Sequence, residues 1–398
     1  MKDQHSINRR DFLKQTALTG AALTGASLLP TTALGETVPR VNREKVRVGL
    51  IGCGSVSGSY LPNLLSHSYI EVVSVCDIIP ERAERRAKEF KVPNHYPHID
   101  RMLAGAEFDL LVNTTSMPSH YPVSKRALEA GKHVWTEKPM AQSIADGREL
   151  IALAKKKGVG FWAAPDCVLS PQFQFMVETI ASGKLGRITA AHGIYGHNGP
   201  TWSAWFYEEG GGSLYDLGVY NVTTLTGLLG PAKEVMGMTT IVNPTRKVDD
   251  KGVVKVVADE NTMLMMKHAS GALSHIQTGF VYFPQEHLPR QRGDLYTIDV
   301  MGTNGSMHLQ AWDWAPSGVD IATWDNNELE TFCKEPGDYK WQGGASYVAK
   351  CLLAGKPSLI TPEHGLHVLE VMLACHKSQR TGRRIDLETT FDWPIFKA

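Results

Sequence analysis

The pattern of apolar positions changes its period halfway along the chain. In the first half, short continuous apolar runs alternate with stretches of helical spacing. Val46-Arg47-Val48-Gly49-Leu50-Ile51 reads as a buried strand, and Leu61, Leu64 and Leu65 mark one face of the helix that follows. The strand pattern returns at Glu71–Cys76, Phe108–Asn113, His133–Thr136 and Gly160–Ala164. Helices are predicted over Tyr121–Ala130 and Ser143–Lys157, closed by Gly131 and Gly158. Strands alternating with helices of this size imply right-handed crossovers and a parallel sheet, whose ligands bind at the carboxyl ends of the strands.

Beyond a helix near Gln172–Ser182 the strands come in series. Ile188–Tyr195, Glu234–Val242, Thr262–Lys267, Ala272–Thr278, Tyr296–Met301 and Ser306–Gln310 all carry the strand pattern. Ala269-Ser270-Gly271 and Asn304-Gly305 supply turn signals between them. Such a series predicts a mainly antiparallel sheet. Two late helices are expected, over Gly343–Leu353 and Thr361–Thr381.

The first strand ends in Gly52-Cys53-Gly54-Ser55-Val56-Ser57-Gly58. Strand, glycine turn and helix in that order form a dinucleotide loop: the first glycine permits the tight turn, and the second lets the backbone approach a pyrophosphate. The helix N-terminus then offers N–H groups and a partial positive charge. Ser57 stands where a third glycine or alanine is usual. The second strand ends at Asp77, which is placed to accept the ribose hydroxyls of NAD and to repel the extra phosphate of NADP. Its other reading is a helix cap before Pro80, and Arg82, Arg85 and Arg86 follow one turn later. Thr115-Ser116-Met117-Pro118 and Glu137-Lys138-Pro139 also fall at strand ends. The fold class is therefore α/β: an N-terminal Rossmann domain followed by a domain with a mainly antiparallel sheet.

Composition narrows the function. The chain has 398 residues, 42% hydrophobic and 21% charged, ordinary values for a globular protein. Lys and Arg number 41, as do Asp and Glu, so no basic excess exists to bind nucleic acid. Cys53, Cys76, Cys167, Cys333, Cys351 and Cys375 are scattered without metal spacing and read as small buried residues, and no His, Asp or Glu pattern supports a metal.

The N-terminus reads as an address. Arg9-Arg10 precedes Phe12-Leu13-Lys14, and residues 15–35 carry no charge. That stretch is long enough to span a bilayer but only weakly apolar, and Ala33-Leu34-Gly35 offers a cleavage site. It resembles a twin-arginine export signal, which implies a periplasmic protein folded before export, with its cofactor already loaded and no stable membrane span after processing. The expected organisation is a signal peptide at 1–35, a linker at 36–44, a Rossmann NAD(P)-binding domain at 45–165, and a substrate-binding and oligomerisation domain at 166–398. In this organisation the final helix packs back on the Rossmann domain.

Between the first two strands of the second half lies Gly210-Gly211-Gly212-Ser213-Leu214-Tyr215-Asp216-Leu217-Gly218-Val219-Tyr220. Ser213 and Asp216 have capping-box spacing. Tyr220 falls on the same helical face as Asp216, which a capping role alone does not explain.

Taken together, Gly52 and Gly54, Glu137-Lys138-Pro139, and the 210–220 segment resemble the Gfo/Idh/MocA family, that of glucose–fructose oxidoreductase and inositol dehydrogenase. The resemblance runs from Val46 to Leu387 and includes Ser378-Gln379-Arg380-Thr381-Gly382-Arg383. It implies hydride transfer between NAD, or NADP, and a hydroxyl of a sugar or glycoside. It also implies that the second domain is an α/β domain with a large open, mainly antiparallel sheet, and that a homo-oligomer, dimer or tetramer, is built through that sheet. Lys138 matches the family's catalytic lysine and Asp216 the aspartate that orients the reacting group. Tyr220 stands where many members have His and is similar to the tyrosine of the glucose–fructose oxidoreductase and dihydrodiol dehydrogenase branch. Cofactor contacts are expected from Gly52, Gly54, Ser55, Val56, Asp77, Thr115, Ser116, His120, Glu137 and Lys138. Free Lys and Tyr titrate near 10, so a proton acceptor at neutral pH needs help. Burial and the nicotinamide charge would lower Lys138, and an ammonium at 138 would lower Tyr220. Asp166-Cys167-Val168-Leu169-Ser170-Pro171 lacks the arginine many members carry before this proline. The stretch between Gly35 and Val46 is too short for a cofactor-wrapping arm.

Substrate contacts are expected from Trp202, Trp205, His197 and Arg290, with His192, His287 and Arg292 as further polar candidates. Outside the cytoplasm the cofactor would be held tightly and recycled by a second substrate. A second function fits the same fold: a glycosidase that oxidises, eliminates the aglycone, adds water and reduces back. A third, a catalytically silent binding protein, leaves Lys138 and Tyr220 without a purpose.

Overall fold

The computed structural model describes residues 39–283 and 296–396. The leader expected over 1–35 lies outside the described residues, as do His287, Arg290 and Arg292.

Strands β1 (Val46–Ile51), β2 (Ile70–Cys76), β3 (Asn94–Tyr96), β4 (Leu110–Asn113), β5 (His133–Thr136) and β6 (Phe161–Ala163) form one parallel sheet, ordered β3-β2-β1-β4-β5-β6. Val48, Leu50, Leu110, Leu111 and Val112 are completely buried. Such strands are covered on both faces, so they read as apolar runs rather than alternations. The crossovers carry α1 (Ser57–Leu65), α2 (Pro80–Phe90), α3 (Ile99–Leu103), α4 (Met117–Glu129) and α5 (Ile144–Lys157). Strand order reverses between β1 and β4, so the loops leaving those two strands diverge and open a crevice.

After α6 (Pro171–Ala181) comes the second sheet. Its strands are β7 (Ile188–Gly196), β8 (Ala232–Thr240), β11 (Asn261–His268), β12 (Leu273–Gly279), β13 (Tyr296–Gly302), β14 (Gly305–Trp312), β15 (Ala315–Thr323), β16 (Glu330–Phe332) and β17 (Ile385–Asp386). A separate hairpin joins β9 (Thr245–Val248) to β10 (Gly252–Lys255). The nine strands run β16-β15-β14-β13-β7-β12-β11-β8-β17, antiparallel except for the β12–β7 pair. Their alternation separates two faces: on β11, Leu264 and Met266 point inward while Met263 and Met265 are exposed. Helix α7 (Val219–Leu229), buried along its whole length, packs across β7, β12 and β13.

Two late helices return to the first half. Helix α8 (Gly344–Ala354) packs on α1, β1 and β5, and α9 (Pro362–Thr381) on α5 and β6 as well as β8. A Cβ on Gly344 would stand 2.1 Å from the Trp135 ring, so only glycine allows this approach. All six cysteines are unpaired; five are buried, and Cys333 is half-exposed. Among the described residues no helix is long and apolar enough to cross a membrane.

Candidate active site

The glycine turn is shaped by its neighbours. Gly52 has φ +98°, and a Cβ there would lie 2.5 Å from the Thr114 backbone, so β1 and β4 can sit side by side only with glycine at this point. Gly54 differs: a Cβ there would enter open space, on the side where a pyrophosphate could approach. No side chain caps α1 and no acidic residue sits in its first turn, which leaves its positive end for an anion. Ser55 is exposed and Val56 half-buried beside it. Ser57 is fully buried at the third position, and its hydroxyl donates 2.6 Å to the Gly54 carbonyl. These residues fit a dinucleotide.

Asp77 does more than one sequence reading allowed. Its Oδ2 accepts from the Cys53 N–H at 2.7 Å and its Oδ1 from the Ile79 N–H at 2.8 Å. The same carboxylate therefore holds the glycine turn and starts the chain toward α2. Arg86 is engaged with the Ser57 hydroxyl, the Gly54 carbonyl and Glu89, not left loose beside Asp77.

At the ends of β4 and β5 the two loops are tied together. His120 is fully buried, with Nδ1 2.7 Å from the Pro139 carbonyl and Nε2 3.0 Å from the Thr115 carbonyl. Both ring nitrogens are thus occupied by backbone, and His120 serves the site through the loops it joins. Thr115 is half-buried and Ser116 exposed at the mouth of α4, another helix without a side-chain cap. Glu137 accepts from the Tyr60 hydroxyl at 2.7 Å and from the Lys138 N–H at 3.1 Å, while the Trp135 indole donates to Tyr60 at 2.9 Å. This buried chain fixes the turn that carries Lys138.

Lys138 leads to the centre of the site. Its Nζ donates to Asp216 Oδ1 at 3.0 Å and to the Asp216 carbonyl at 2.8 Å, and lies 5.2 Å from the centroid of the Tyr220 ring. Side chains separated by as many as 82 positions meet in one place. The residues around Asp216 reach it by a route other than the expected capping box. The Ser213 hydroxyl donates to Asp259 Oδ2 at 2.8 Å, and the Leu214 N–H and Thr262 hydroxyl donate to the same oxygen at 3.1 and 2.9 Å. Asp259 is thus the acceptor that starts this helix. Leu214–Gly218 then forms a π-helical turn before α7, and the wider turn re-aims Asp216 toward Lys138.

Tyr220 is buried, and its hydroxyl accepts from the Trp341 indole N–H at 3.3 Å. Burial, followed by the charge of Glu137, pushes the phenol well above its ordinary value. The Lys138 ammonium lies over the ring face, and Tyr195 and Asp216 add to the upward push. The rings around Tyr220 were not foreseen. Tyr195 stands 6.2 Å away, Trp312 4.5 Å from Tyr195, and Trp314 5.0 Å from Trp341. Trp312 and Trp314 flank Asp313, a spacing that places two indoles on one side of the chain and was the available signal. Asp313 accepts from Asn221, the residue after Tyr220, at 2.9 Å.

The substrate candidates divide. His197 lies near Tyr195, ring centroids 6.3 Å apart, and its Nδ1 accepts from the Gly199 N–H at 2.9 Å. Trp205 stacks on Phe206 at 3.7 Å and the exposed Trp202 meets the same ring edge-on, one layer further out. His192 faces the other way, onto the outer surface of the second sheet with Asp299 and His308. A strand alternates its side chains, so His192 and Tyr195 cannot share a face. A cavity of about 1150 Å³ is lined by Met117, Gly210 and Asp259 together with Pro139 and Tyr215, which adjoin Lys138 and Asp216 in the chain. Among the described residues no cluster of His, Cys, Asp or Glu is placed to hold a metal.

Comparison with known proteins agrees with this architecture. Residues 46–164 match the model described as the oxidoreductase family with an NAD-binding Rossmann fold, and residues 173–308 match the GFO/IDH/MocA C-terminal domain. Trans-1,2-dihydrobenzene-1,2-diol dehydrogenase of Mus musculus is 26% identical over 331 residues, 80% of this chain and 91% of the relative. The 1,5-anhydro-D-fructose reductase of Ensifer adhaerens is 26% identical over 352 residues, covering 86% and 99%. A solved structure of levoglucosan dehydrogenase with NADH and L-sorbose superposes with a TM-score of 0.76 at 18% identity, covering 87% of this chain and all of that one. With its glycine turn, its Lys138–Asp216 pair and both family models in register, the chain belongs to the Gfo/Idh/MocA family and is an NAD(P)-dependent oxidoreductase.

Proposed function

We propose that the protein interconverts a secondary hydroxyl and a ketone on a sugar or related polyol. The observation that carries this reading is the convergence of Lys138, Asp216 and Tyr220. The names of the relatives, a diol dehydrogenase and an anhydrofructose reductase, lie in the same chemistry.

NAD(P), held by the Gly52–Ser57 turn, Asp77 and the Thr115–Ser116 loop, supplies the hydride acceptor or donor. The remaining work belongs to the side chains. Two of the three donor positions of the Lys138 ammonium are occupied by Asp216, leaving the third for the oxygen of the reacting carbinol. In its deprotonated form Tyr220 takes the hydroxyl proton as the alcohol is oxidised, becoming the phenol that returns it on reduction, and Lys138 stabilises negative charge on the intervening oxygens. Asp216 sets the direction of Nζ.

Lys138→Ala and Tyr220→Phe are each expected to lower kcat/KM by about 10²-fold or more, the usual contribution of a positioned acid–base group. Cofactor affinity should stay within a few fold. Steady-state rates with free sugars, with the cofactor read by absorbance, provide the check, and unchanged turnover in either variant would overturn the site. Aglycone release from aryl glycosides at constant cofactor redox state would replace this reading by the hydrolytic one.

Arg9-Arg10 and the uncharged stretch after them support export by the twin-arginine route, with the mature chain in the periplasm. The N-terminus of the protein recovered from that compartment tests it. A homo-oligomer formed through the open sheet belongs to the same reading.

A further inference from the structure

The segment from Cys333 to Gln342 forms a strap across the second half of the molecule. Its two end residues adopt left-handed backbone conformations, φ 50° at Cys333 and φ 63° at Gln342, although neither is glycine. Buried groups pin both ends. The side-chain amide of Gln172 donates to the carbonyls of Cys333 and Glu335 at 2.8 and 3.2 Å. At the other end, Asp166 accepts from the backbone N–H groups of Gln342 and Gly344. In between, the Tyr339 hydroxyl donates to the Trp314 carbonyl at 3.1 Å. This leaves Trp341 held against Trp314, with its indole N–H on the Tyr220 oxygen at 3.3 Å.

An indole N–H can only donate. It therefore stabilises a phenolate more than a phenol, which could reorient its own proton toward another partner. The other groups facing Tyr220 act in the opposite sense or on the ring: Glu137, Asp216 and Tyr195 disfavour the anion, and Lys138 lies over the ring face. Tyr339 also lies near Tyr220, and its hydroxyl donates to the Trp314 carbonyl. Trp341 meets the phenol oxygen directly as a donor.

We propose that Trp341 is a positioning residue for Tyr220: from the strap, its indole N–H aims the phenol and supports its deprotonated form during proton transfer. The proposal rests on Tyr220 being the proton acceptor, and its test separates the two claims. Trp341→Phe keeps an aromatic ring against Trp314 and removes only the donor. The pH profile of kcat/KM for alcohol oxidation is measured for the full-length protein, Trp341→Phe and Tyr220→Phe, with thermal melting as a check of folding.

A limb that disappears in Tyr220→Phe belongs to Tyr220. In Trp341→Phe that limb should move upward by about one pH unit, a tenfold change in proton affinity, with KM for the cofactor unchanged. A limb that stays in place or moves down, or a rate that falls equally at every pH, overturns the role of Trp341 while leaving Tyr220 as the base. A limb that survives in Tyr220→Phe overturns the base assignment and the proposal with it.

Discussion

Asp166 shows how one buried side chain can shape the behaviour of the site. Its carboxyl is completely enclosed, Oδ2 has no hydrogen-bond partner, and burial pushes its titration up to about 7. An unfolded aspartate titrates near ~3.9. The group therefore leaves stability untouched below about pH 4 and subtracts from it as pH rises toward about 7, by a few kcal/mol at ~1.4 per unit. Asp166→Asn should remove that slope, raising the melting temperature at pH 8 and changing it little at pH 4, as a calorimetric series would show. The sequence identified this position only as one lacking the family's arginine, because the backbone groups it caps lie some 180 residues later. Lys138, Asp216 and Tyr220 were legible because each sits in a local motif. The polarity of the Tyr220 environment was not, since burial, Glu137 and Trp341 all reach it through space.

At the level of elements, the turn from Ser213 to Gly218 carries the most consequence. Its sequence spacing matches a capping box, yet the acceptor is Asp259, brought from the start of the neighbouring strand. Local spacing cannot report a cap supplied from 46 positions away. Asp259→Ala would leave the Ser213 and Thr262 hydroxyls and the Leu214 N–H without their acceptor. The expected loss is at least ~3 kcal/mol in denaturant unfolding, at about 1–3 per unsatisfied buried donor. kcat should fall more than cofactor affinity, because the π-helical turn aims Asp216. Asp259→Asn keeps an acceptor oxygen and should recover part of both. The parallel strands were readable because burial on both faces makes them continuous apolar runs. Strand β15 was not, because Pro316 and Gly318 interrupt its pattern, and the short β16 and β17 owe their pairing to neighbours.

For the whole molecule, the outer face of the second sheet stands out. Met236, Met238, Met263, Met265 and Leu273 are exposed together on β8, β11 and β12, with Met238 71% accessible. Contiguous apolar surface of this kind is the sort that subunit interfaces cover, which is the ground for the proposed oligomer. Light scattering is expected to show an oligomer, and Met238→Glu with Met265→Glu should dissociate it while leaving each subunit folded; a monomeric parent protein would refute this. The return of α8 to the parallel sheet carries a different corollary. Gly344 seats that helix against Trp135, so the wall of the nucleotide-binding half is completed by sequence from the far end of the chain. A genetic crossover at residue 165 would exchange the reacting surface and dismantle the cofactor's housing at once.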